Sequence, residues 1–597
     1  MASKPSDEQI QLPVASVTEG LTTKPYTPAA GGMGALTSVF REANRHCGLI
    51  HTTKLLLKMN QSDGFDCPGC AWPDPPAEER TPFEFCENGA KAIIAEGTKY
   101  RVDPGFFQQW SVRDLVQQTD HWLEAQGRLT HPMIRRPGDS HYTPISWEDA
   151  FATIGQSLNA LDSPNEAIFY TSGRTSNEAA FLYQAFVRNF GTNNMPDCSN
   201  MCHESSGRGL GDTIGIGKGT VTLQDFDEAE TIFVIGQNPG TNHPRMLSAL
   251  ERAKHRGSRI VSVNPIRERG LEEFAHPQNP LALLGRSTTL SELYLQVRVN
   301  GDIALLKGIM KIMMEREYNV PGSVLDLEFI EAHTVGFDAF QAALADVPWD
   351  EIIEQSGLSR EQIEAAAEIY CTANSAIICW AMGLTQHKNG VGNIQEVVNL
   401  LLLRGNLGKP GAGACPVRGH SNVQGDRTMG IVERPSEAFL RRLEDAMGFK
   451  APHEHGLDTV EAIHAMAEGK GKIFFAMGGN FVAATPDTNY TETALQKCEL
   501  TVQVSTKLNR SHLVAGNTAI ILPCLGRSEV DEQQSGPQFV SCENSMGIVT
   551  RSEGRRRPAS EQLMSETAIV AHLAHHTLGD RSPVKWLELA RDYDRIR

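Results

Sequence analysis

The sequence predicts a multidomain α/β protein built on doubly wound sheets. Short, β-rich apolar runs end in glycine-containing turns, and an amphipathic helix follows each of them through the middle of the chain. This alternation is typical of parallel sheets that are covered by helices on both faces. At 597 residues the chain exceeds the size of one hydrophobic core, so we expect several domains.

The repeated units can be placed along the chain. Strands are predicted at 166–171, 231–235, 259–263, 376–381 and 472–476, and helices near 176–190, 243–256 and 391–404. The last residues, 582–597, have the spacing of an amphipathic helix.

Two of the predicted turns resemble each other. Residues 233–238 (FVIGQN) and 475–480 (FAMGGN) both place glycine and asparagine at the carboxyl end of a strand, where open α/β sheets bind ligands. The turns could hold two nucleotides, or they could be the tight turns that any parallel sheet needs. Neither matches the Gly-x-Gly-x-x-Gly pattern, so a standard NAD or FAD site is not supported.

Composition narrows the class of protein. The net charge of −17 argues against a nucleic-acid binder, which usually carries a basic face. Residues 1–40 are predicted to be a flexible extension, with no apolar run long enough for a signal peptide or a membrane span. Twelve cysteines without a secretion signal predict a reducing, cytoplasmic location with thiols as metal ligands or core residues.

The first cysteine constellation has the spacing Cys67-x2-Cys70-x3-Asp74-x11-Cys86. A Cys-x2-Cys pair can deliver two sulfurs to one iron–sulfur cluster from a single turn, and it also suits zinc. A site without metal remains a third reading. A thioredoxin-like redox pair should open a helix, which the proline-rich segment 71–76 (AWPDPP) cannot continue.

The second constellation is a polar loop that contains Cys198, Cys202, His203 and Glu204. A cysteine followed by histidine and glutamate is a poor candidate for simple core packing. It could be a nucleophilic thiol activated by a neighbour, or a soft-metal thiolate beside a histidine that transfers protons.

The most specific block of the sequence comprises residues 380–390 (WAMGLTQHKNG), 399–411 (NLLLLRGNLGKPG) and 416–425 (PVRGHSNVQG). With the cysteine constellations, it resembles the alpha subunits of molybdopterin oxidoreductases that carry two guanine-dinucleotide pterins. Within them, the chain is similar to the formate dehydrogenase-like branch that includes YdeP. The resemblance extends from about Arg45 to the end of the chain.

The resemblance implies roles for individual residues. Cys202 would be the molybdenum ligand, His203 would accept or relay a proton, and Arg418 would hold an anionic substrate. A 4Fe-4S cluster would be bound by Cys67, Cys70, Asp74 and Cys86. The implied cofactor-binding residues are Arg174, Asn177 and Asn194 at the pterin, Gly236, Asn238, His243, Asn264 and Arg267 at the first guanosine, Gly383 and Gln386 in the specific block, and Gly478, Asn480 and Ser505 at the second guanosine.

It also implies a domain arrangement. Residues 41–99 with 536–597 would form an iron–sulfur and cap domain. Residues 100–197 with 421–535, and residues 198–420 with the metal site, would form two Rossmann-like dinucleotide-binding domains. The family's usual C-terminal β-barrel domain is expected to be absent from this chain.

The implied activity is a two-electron oxidation or reduction of a small anionic substrate such as formate. Electrons would pass through the 4Fe-4S cluster to an acceptor protein or subunit. Alternatives are a nitrate-reductase-like or other oxyanion reductase, a non-catalytic homologue that binds cofactor poorly, and a thiol-dependent hydrolase. The sequence departs from the family pattern at Asp74, where the family has cysteine, and at Asn88, where it has lysine. His420 stands where formate enzymes often have glutamine.

Overall fold

The computed structural model of the protein describes residue 22 and residues 26–597. Most of the predicted extension, residues 1–21 and 23–25, lies outside the described residues. The remainder contains a short strand, Ala30–Gly31, and a helix, Gly32–His46, which buries Ala35 and Ala43. The predicted extension is therefore wrong from Ala30 onward, because one face of this helix offers apolar side chains for packing.

The chain forms twenty strands and twenty-eight α-helices within the described residues. The strands are β1 (Ala30–Gly31), β2 (Arg101–Val102), β3 (Arg128–Leu129), β4 (Met133–Arg135), β5 (Thr143–Pro144), β6 (Ala167–Thr171), β7 (Thr231–Ile235), β8 (Arg259–Val263), β9 (Glu273–Ala275), β10 (Thr288–Thr289), β11 (Leu293–Leu295), β12 (Ala376–Trp380), β13 (Gly413–Pro416), β14 (Ile473–Met477), β15 (Leu500–Ser505), β16 (Thr518–Pro523), β17 (Asp531–Gln533), β18 (Gly536–Gln538), β19 (Val540–Glu543) and β20 (Val549–Ser552). The helices are α1 (Gly32–His46), α2 (Leu49–Leu56), α3 (Glu87–Glu96), α4 (Pro104–Gln109), α5 (Val112–Val116), α6 (Asp120–Ala125), α7 (Trp147–Asn159), α8 (Asn177–Phe190), α9 (Glu204–Ile214), α10 (Asp225–Glu228), α11 (Pro239–Asn242), α12 (Pro244–His255), α13 (Arg269–Glu272), α14 (Pro280–Leu283), α15 (Asp302–Asn319), α16 (Leu327–His333), α17 (Phe337–Ala345), α18 (Trp349–Ser356), α19 (Arg360–Thr372), α20 (Met382–Thr385), α21 (Gly390–Leu402), α22 (Val423–Thr428), α23 (Glu437–Met447), α24 (Thr459–Ala467), α25 (Phe481–Ala484), α26 (Thr488–Gln496), α27 (Glu566–Leu578) and α28 (Trp586–Arg591).

The first large sheet has five strands in the order β11-β8-β7-β12-β13, and every neighbouring pair is parallel. Along β7, Phe233 and Ile235 enter one apolar cluster, whereas Ile232 and Val234 enter another. Helices α15, α19 and α21 cover the first face, and α12 covers the second. Both faces are therefore buried, as the continuous apolar character of these strands requires.

The second large sheet has six strands in the order β5-β4-β16-β15-β14-β6. Strands β6, β14, β15 and β16 are parallel, and β4 and β5 add an antiparallel edge. Helices α7, α8 and α27 bury one face, while α24 and α26 bury the other. The four parallel strands come from residues far apart in the chain, on either side of the first sheet.

These sheets confirm the predicted α/β class. Each of the five predicted strands is present and ends within one residue of its predicted bounds. The predicted helices correspond to α8, α12 and α21 with small shifts at their ends.

The C-terminal segment contacts two parts of the chain. Residues 545–555 are hydrogen-bonded to residues 63–71, whereas helices α27 and α28 are buried in the same apolar cluster as α7 and α8, next to the six-stranded sheet. The helix predicted over 582–597 is limited to α28. The helix ends before Asp592, whose backbone is extended, and the Tyr593 hydroxyl beyond it is hydrogen-bonded to Ser565 at 2.6 Å and donates to Asp531 at 2.5 Å.

Candidate active site

One cavity of about 370 Å³ brings the two cysteine constellations together. Its wall includes Cys67, Cys70, Asp74 and Cys86 from the N-terminal part and Cys202 from the loop before α9. Other wall residues that matter here are Asn88, Arg174, His243, Arg245, Met382, Gly419, His420 and Ser421. The two sites that the sequence presented separately are thus parts of one site.

Cys202 is buried directly after the 3-10 helix Cys198–Met201. Its carbonyl accepts a hydrogen bond from Thr385 Oγ1 at 2.6 Å, and the Gly419 amide donates to its sulfur. Burial raises the pKa of the Cys202 thiol to about 11, although the nearby Arg418 guanidinium opposes this shift. A thiol with a raised pKa is a poor free nucleophile, which weakens the hydrolase alternative.

Arg418 follows β13 and lies beside Cys202 with its guanidinium buried. Its Nη1 donates to the carbonyl of His203 at 3.3 Å, and its Nη2 donates to that of Gly217 at 2.9 Å. Burial lowers the pKa of this arginine to about 10. Within the described part of the chain, neither nitrogen contacts a carboxylate, so the cation has no fixed counter-ion and suits an anionic ligand.

The two histidines near the thiol differ in what their rings can do. His203 is only 1% exposed, and both of its ring nitrogens have partners, Ser206 Oγ at 2.9 Å and the Val417 carbonyl at 3.1 Å. It is not part of the cavity wall. His420 does belong to the cavity wall, and its Nδ1 lies 3.9 Å from Cys198 Sγ. Burial lowers the pKa of His420 to about 4, so its ring is neutral at pH 7.

His420 is not among the functional residues that the sequence predicts; in the sequence it stands out only as a departure from the family pattern. Its position two residues after Arg418, inside the most specific block, was the available signal.

The N-terminal cysteines have features of a cluster-binding loop. A methyl group on Gly89 would lie 2.8 Å from Cys67 Sγ and 3.7 Å from Cys86 Sγ, so glycine leaves space beside both sulfurs. The amides of Gly69 and Gly89 donate to Cys67 and Cys86, each at 3.4 Å. Hydrogen bonds of this kind stabilise cluster thiolates.

No group of three or more His, Cys, Asp or Glu side chains within residues 26–597 is arranged to hold a metal ion. A single ion needs its ligands converged on one point, whereas a cluster spaces its thiolates more widely.

The predicted cofactor turns lie at the carboxyl ends of the parallel strands. Gly236 follows β7 and Gly383 follows β12, and a Cβ on Gly383 would lie 2.5 Å from Gly236 Cα. Gly478 follows β14 with a positive φ of 72°, and its Cβ would lie 3.0 Å from Ser172 Oγ. These glycines are needed where two turns pack against each other, a reason that the sequence did not reveal.

The predicted asparagines are mostly engaged by the protein itself. The side chain of Asn194 is hydrogen-bonded to the backbone of Asn165, Ala167 and Leu457. The other side chains also have protein partners: Asn177 with Asn422 and Ser541, Asn238 with Thr241 and Glu268, Asn264 with the Gln237 carbonyl, and Asn480 with Ser511.

The remaining predicted residues have mixed positions. His243 Nε2 bonds to the Arg418 carbonyl at 3.0 Å on the cavity wall. Arg174 is exposed on that wall. Arg267 is exposed and paired with Glu272, and the exposed Gln386 donates to the Met201 carbonyl at 2.7 Å. The structure therefore does not bring Arg267 or Gln386 into this cavity.

Several buried polar atoms have no hydrogen-bond partner in the described part of the chain. Gln237 Oε1 lies just after β7, Ser505 Oγ ends β15, and Arg418 Nε and Ser421 Oγ lie beside or on the cavity wall. Buried polar atoms are normally paired. Their placement at strand ends and around Cys202 fits a large polar ligand such as a dinucleotide pterin.

The strand ends and connecting loops of the two α/β sheets surround a cysteine-lined cavity. This arrangement is typical of cofactor-binding proteins. The sequence model for "Molybdopterin oxidoreductase" matches residues 128–529. The chain therefore belongs to the molybdopterin oxidoreductase family. No helix among residues 26–597 is long and apolar enough to cross a membrane.

Individual relatives agree with this assignment. The chain is 51% identical to an uncharacterised oxidoreductase of Mycobacterium tuberculosis over 97% of its own length and 74% of the relative's. It is 48% identical to protein YdeP of Escherichia coli K12, over 96% and 76%. A formate dehydrogenase alpha subunit of Methanococcus maripaludis is 30% identical over 74% and 63%. The resemblance to the branch that includes YdeP is thus confirmed.

The fold has a match among solved structures. Acetylene hydratase from Pelobacter acetylenicus matches with a TM-score of 0.60 at 19% identity, over 78% of this chain and 64% of that one. At this identity the match supports the α/β architecture alone.

Proposed function

We propose that this chain is the catalytic, alpha-type subunit of a molybdenum-dependent oxidoreductase of the formate dehydrogenase-like kind. It would move two electrons to or from a small anionic substrate. The observation that carries the proposal is the position of Cys202 on a cavity wall beside a buried arginine that has no counter-ion among the described residues. The same cavity contains four further cysteines, Cys67, Cys70, Cys86 and Cys542.

The cofactor would be a molybdenum bis(molybdopterin guanine dinucleotide), which supplies the two-electron chemistry when bound. Cys202 would provide the thiolate ligand that suits a soft metal, and the Gly419 amide would stabilise its negative charge. The two nucleotide halves would lie at the strand ends where Gln237 and Ser505 are found, because their side-chain oxygens have no hydrogen-bond partner among the described residues. The predicted contacts of Asn238, Asn264, Gly478 and Asn480 belong to this proposal.

Arg418 would bind the substrate anion next to Cys202. Its guanidinium is held in place by two carbonyl oxygens, and its Nε has no partner among the described residues. A buried, planar cation orients a carboxylate better than a flexible lysine does. This contact favours formate or a similar small anion; a nitrate-like oxyanion would use the same charge.

His420 would carry the proton, in place of the predicted His203. Its ring lies on the cavity wall and, although burial lowers its pKa to about 4, a nitrogen of the neutral ring can relay a proton released near Cys202. His203, bound at both nitrogens, would instead hold the loop of Cys202 against β13 through the Val417 carbonyl.

Cys67, Cys70 and Cys86 would hold the redox centre through which electrons pass to an acceptor protein or subunit. A cytoplasmic, reducing location suits this arrangement, because all twelve cysteines are free thiols.

The test is to express the full chain in a host that makes the pterin cofactor. Molybdenum content and dye-coupled oxidation of formate would then be measured. We expect Cys202→Ala to abolish turnover. Cys371→Ala, which removes a core thiol of α19 far from the cavity wall, should leave turnover unchanged.

Wild-type protein without molybdenum would overturn the proposal and favour a non-catalytic homologue. Undiminished turnover in Cys202→Ala would refute the role of this thiol.

A further inference from the structure

Asp74 occupies the position of a cluster ligand but already has another partner. Its Oδ1 accepts a hydrogen bond from Arg245 Nη1 at 2.6 Å, and Nη2 of the same guanidinium donates to Glu84 Oε1 at 2.8 Å. All three side chains are largely buried, with exposures of 7% for Asp74, 13% for Arg245 and 15% for Glu84. Asp74 and Arg245 both belong to the wall of the cavity that contains the cysteines.

Breaking the ion pair between Asp74 and Arg245 costs free energy. A buried guanidinium that loses one carboxylate keeps an uncompensated charge, so Arg245 holds Asp74 in place. The carboxylate shares its charge with this cation, which makes its oxygens weaker donors to iron. Iron in such clusters is also usually bound by thiolate sulfur rather than by carboxylate oxygen.

Cys67, Cys70 and Cys86 have no charged partner of the kind that Asp74 has in Arg245, within the described part of the chain. Cys67 and Cys86 flank the space beside Gly89 and accept hydrogen bonds from backbone amides. None of the three is paired with a cation by a salt bridge or hydrogen bond among the described residues. Cys542 also lines the cavity, but its sulfur accepts a hydrogen bond from Arg527 Nη1 at 2.6 Å. Asp74 and Cys542 are thus each engaged by an arginine, which leaves Cys67, Cys70 and Cys86 as the available ligands.

We infer that this cavity holds an iron–sulfur cluster through Cys67, Cys70 and Cys86 alone, and that Asp74 is the counter-ion of Arg245 instead of the fourth ligand. The inference rests on the proposed redox function of the cavity. One corner of the cluster has no protein ligand. A four-iron cluster bound in this way loses its unsupported iron on oxidation: the 4Fe-4S form with charge +2 releases one Fe²⁺ and gives one electron to the added oxidant, ferricyanide, which leaves a 3Fe-4S form with charge +1.

The experiment uses the full chain, reconstituted with iron and sulfide without oxygen. After mild oxidation with ferricyanide, iron per chain and the EPR spectrum are measured. We expect about three irons per chain and the spectrum of a 3Fe-4S cluster. Ferrous iron with dithionite should restore the diamagnetic four-iron form, because the reverse reaction takes up one Fe²⁺ and one electron.

Two variants remove one charge each from the partners of Arg245. Asp74→Asn keeps an oxygen for the guanidinium but has no carboxylate for iron, and Glu84→Gln is its matched control on the other side of Arg245. We expect wild-type iron content and EPR in both. Asp74→Cys supplies a fourth thiolate, and its cluster should keep about four irons after the same oxidation.

Loss of iron in Asp74→Asn but not in Glu84→Gln would overturn the inference, as would a wild-type cluster that keeps all its iron on oxidation. Wild-type protein that binds zinc or no iron would overturn it as well. Molybdenum content, measured on the same samples, tests the proposed function separately.

Discussion

Proton transfer in the cavity depends on which histidine has a ring nitrogen to spare. His203 uses both nitrogens to hold the loop that carries Cys202, whereas His420 Nε2 has no hydrogen-bond partner among the described residues. The side chain of His420 packs close to Gly173. A Cβ added to Gly173 would lie 2.9 Å from the Cβ of His420. The backbone around this ring is therefore tightly packed and fixes its position.

We expect His420→Ala to lower kcat by roughly 100-fold or more, the usual contribution of a positioned acid or base. Molybdenum content should not change, because the ring is not a proposed ligand. Added imidazole should restore part of the rate by entering the space that the side chain leaves. Stopped-flow or steady-state assays with and without imidazole would measure this. A variant with wild-type kcat would show that another group carries the proton.

Arg418 provides a second test at the level of one side chain. Arg418→Lys keeps the charge, but an ammonium group cannot span the carbonyls of His203 and Gly217 in the same plane. We expect KM for the anionic substrate to rise by roughly tenfold or more, as for the loss of a charge-assisted hydrogen bond. Steady-state kinetics would check this. An unchanged KM would place the substrate elsewhere.

At the scale of elements, the turn after β7 and the turn after β12 are packed backbone to backbone. The Gly383 amide donates to the Gly236 carbonyl at 2.9 Å, and no side chain fits between them. Gly383→Ala should therefore lower the free energy of unfolding by about 1–3 kcal/mol, as overpacking of a tight contact does. Urea denaturation would measure the change.

A matched control lies nearby in α21. A Cβ on Gly392 would have its nearest neighbour, Ile303 Cδ1, at an ordinary distance of 3.5 Å. Gly392→Ala should raise stability by about 0.5–1 kcal/mol, because alanine is the better helix residue. If both variants change stability equally, the close approach of the two turns is not what requires Gly383.

The same elements show what a sequence can and cannot predict. The sequence predicts the strands β7 and β12 because strands buried on both faces are continuous apolar runs. The glycines after them were found, but their contact with each other was not, because nothing local indicates which turns will meet. Likewise, the sequence does not show that the side chain of Asn194, a predicted pterin contact, is hydrogen-bonded to the backbone of Asn165 and Leu457. The choice between His203 and His420 needed the ring contacts, which only tertiary structure provides.

At the scale of the whole molecule, one buried carboxylate joins distant parts of the chain. Glu529 accepts hydrogen bonds from Arg128 of β3 at 2.8 Å and from Arg556 at 3.2 Å, and from the amides of Gly526 and Ala559, both at 2.7 Å. The side chains of Arg128 and Glu529 are both 0% exposed. Residues before the first sheet and after the second are thereby linked at one point.

Removal of Glu529 and removal of Arg128 should lower the free energy of unfolding by different amounts. Glu529→Ala leaves two buried guanidinium groups and two amides without their acceptor, so we expect it to lower the free energy of unfolding by about 3–5 kcal/mol. Arg128→Ala leaves Glu529 still neutralised by Arg556, and its cost should be smaller. Urea denaturation of both variants would compare them. An equal or larger cost for Arg128→Ala would mean that its bonds to the carbonyls of Thr506 and Cys524 stabilise the junction more than the ion pair does.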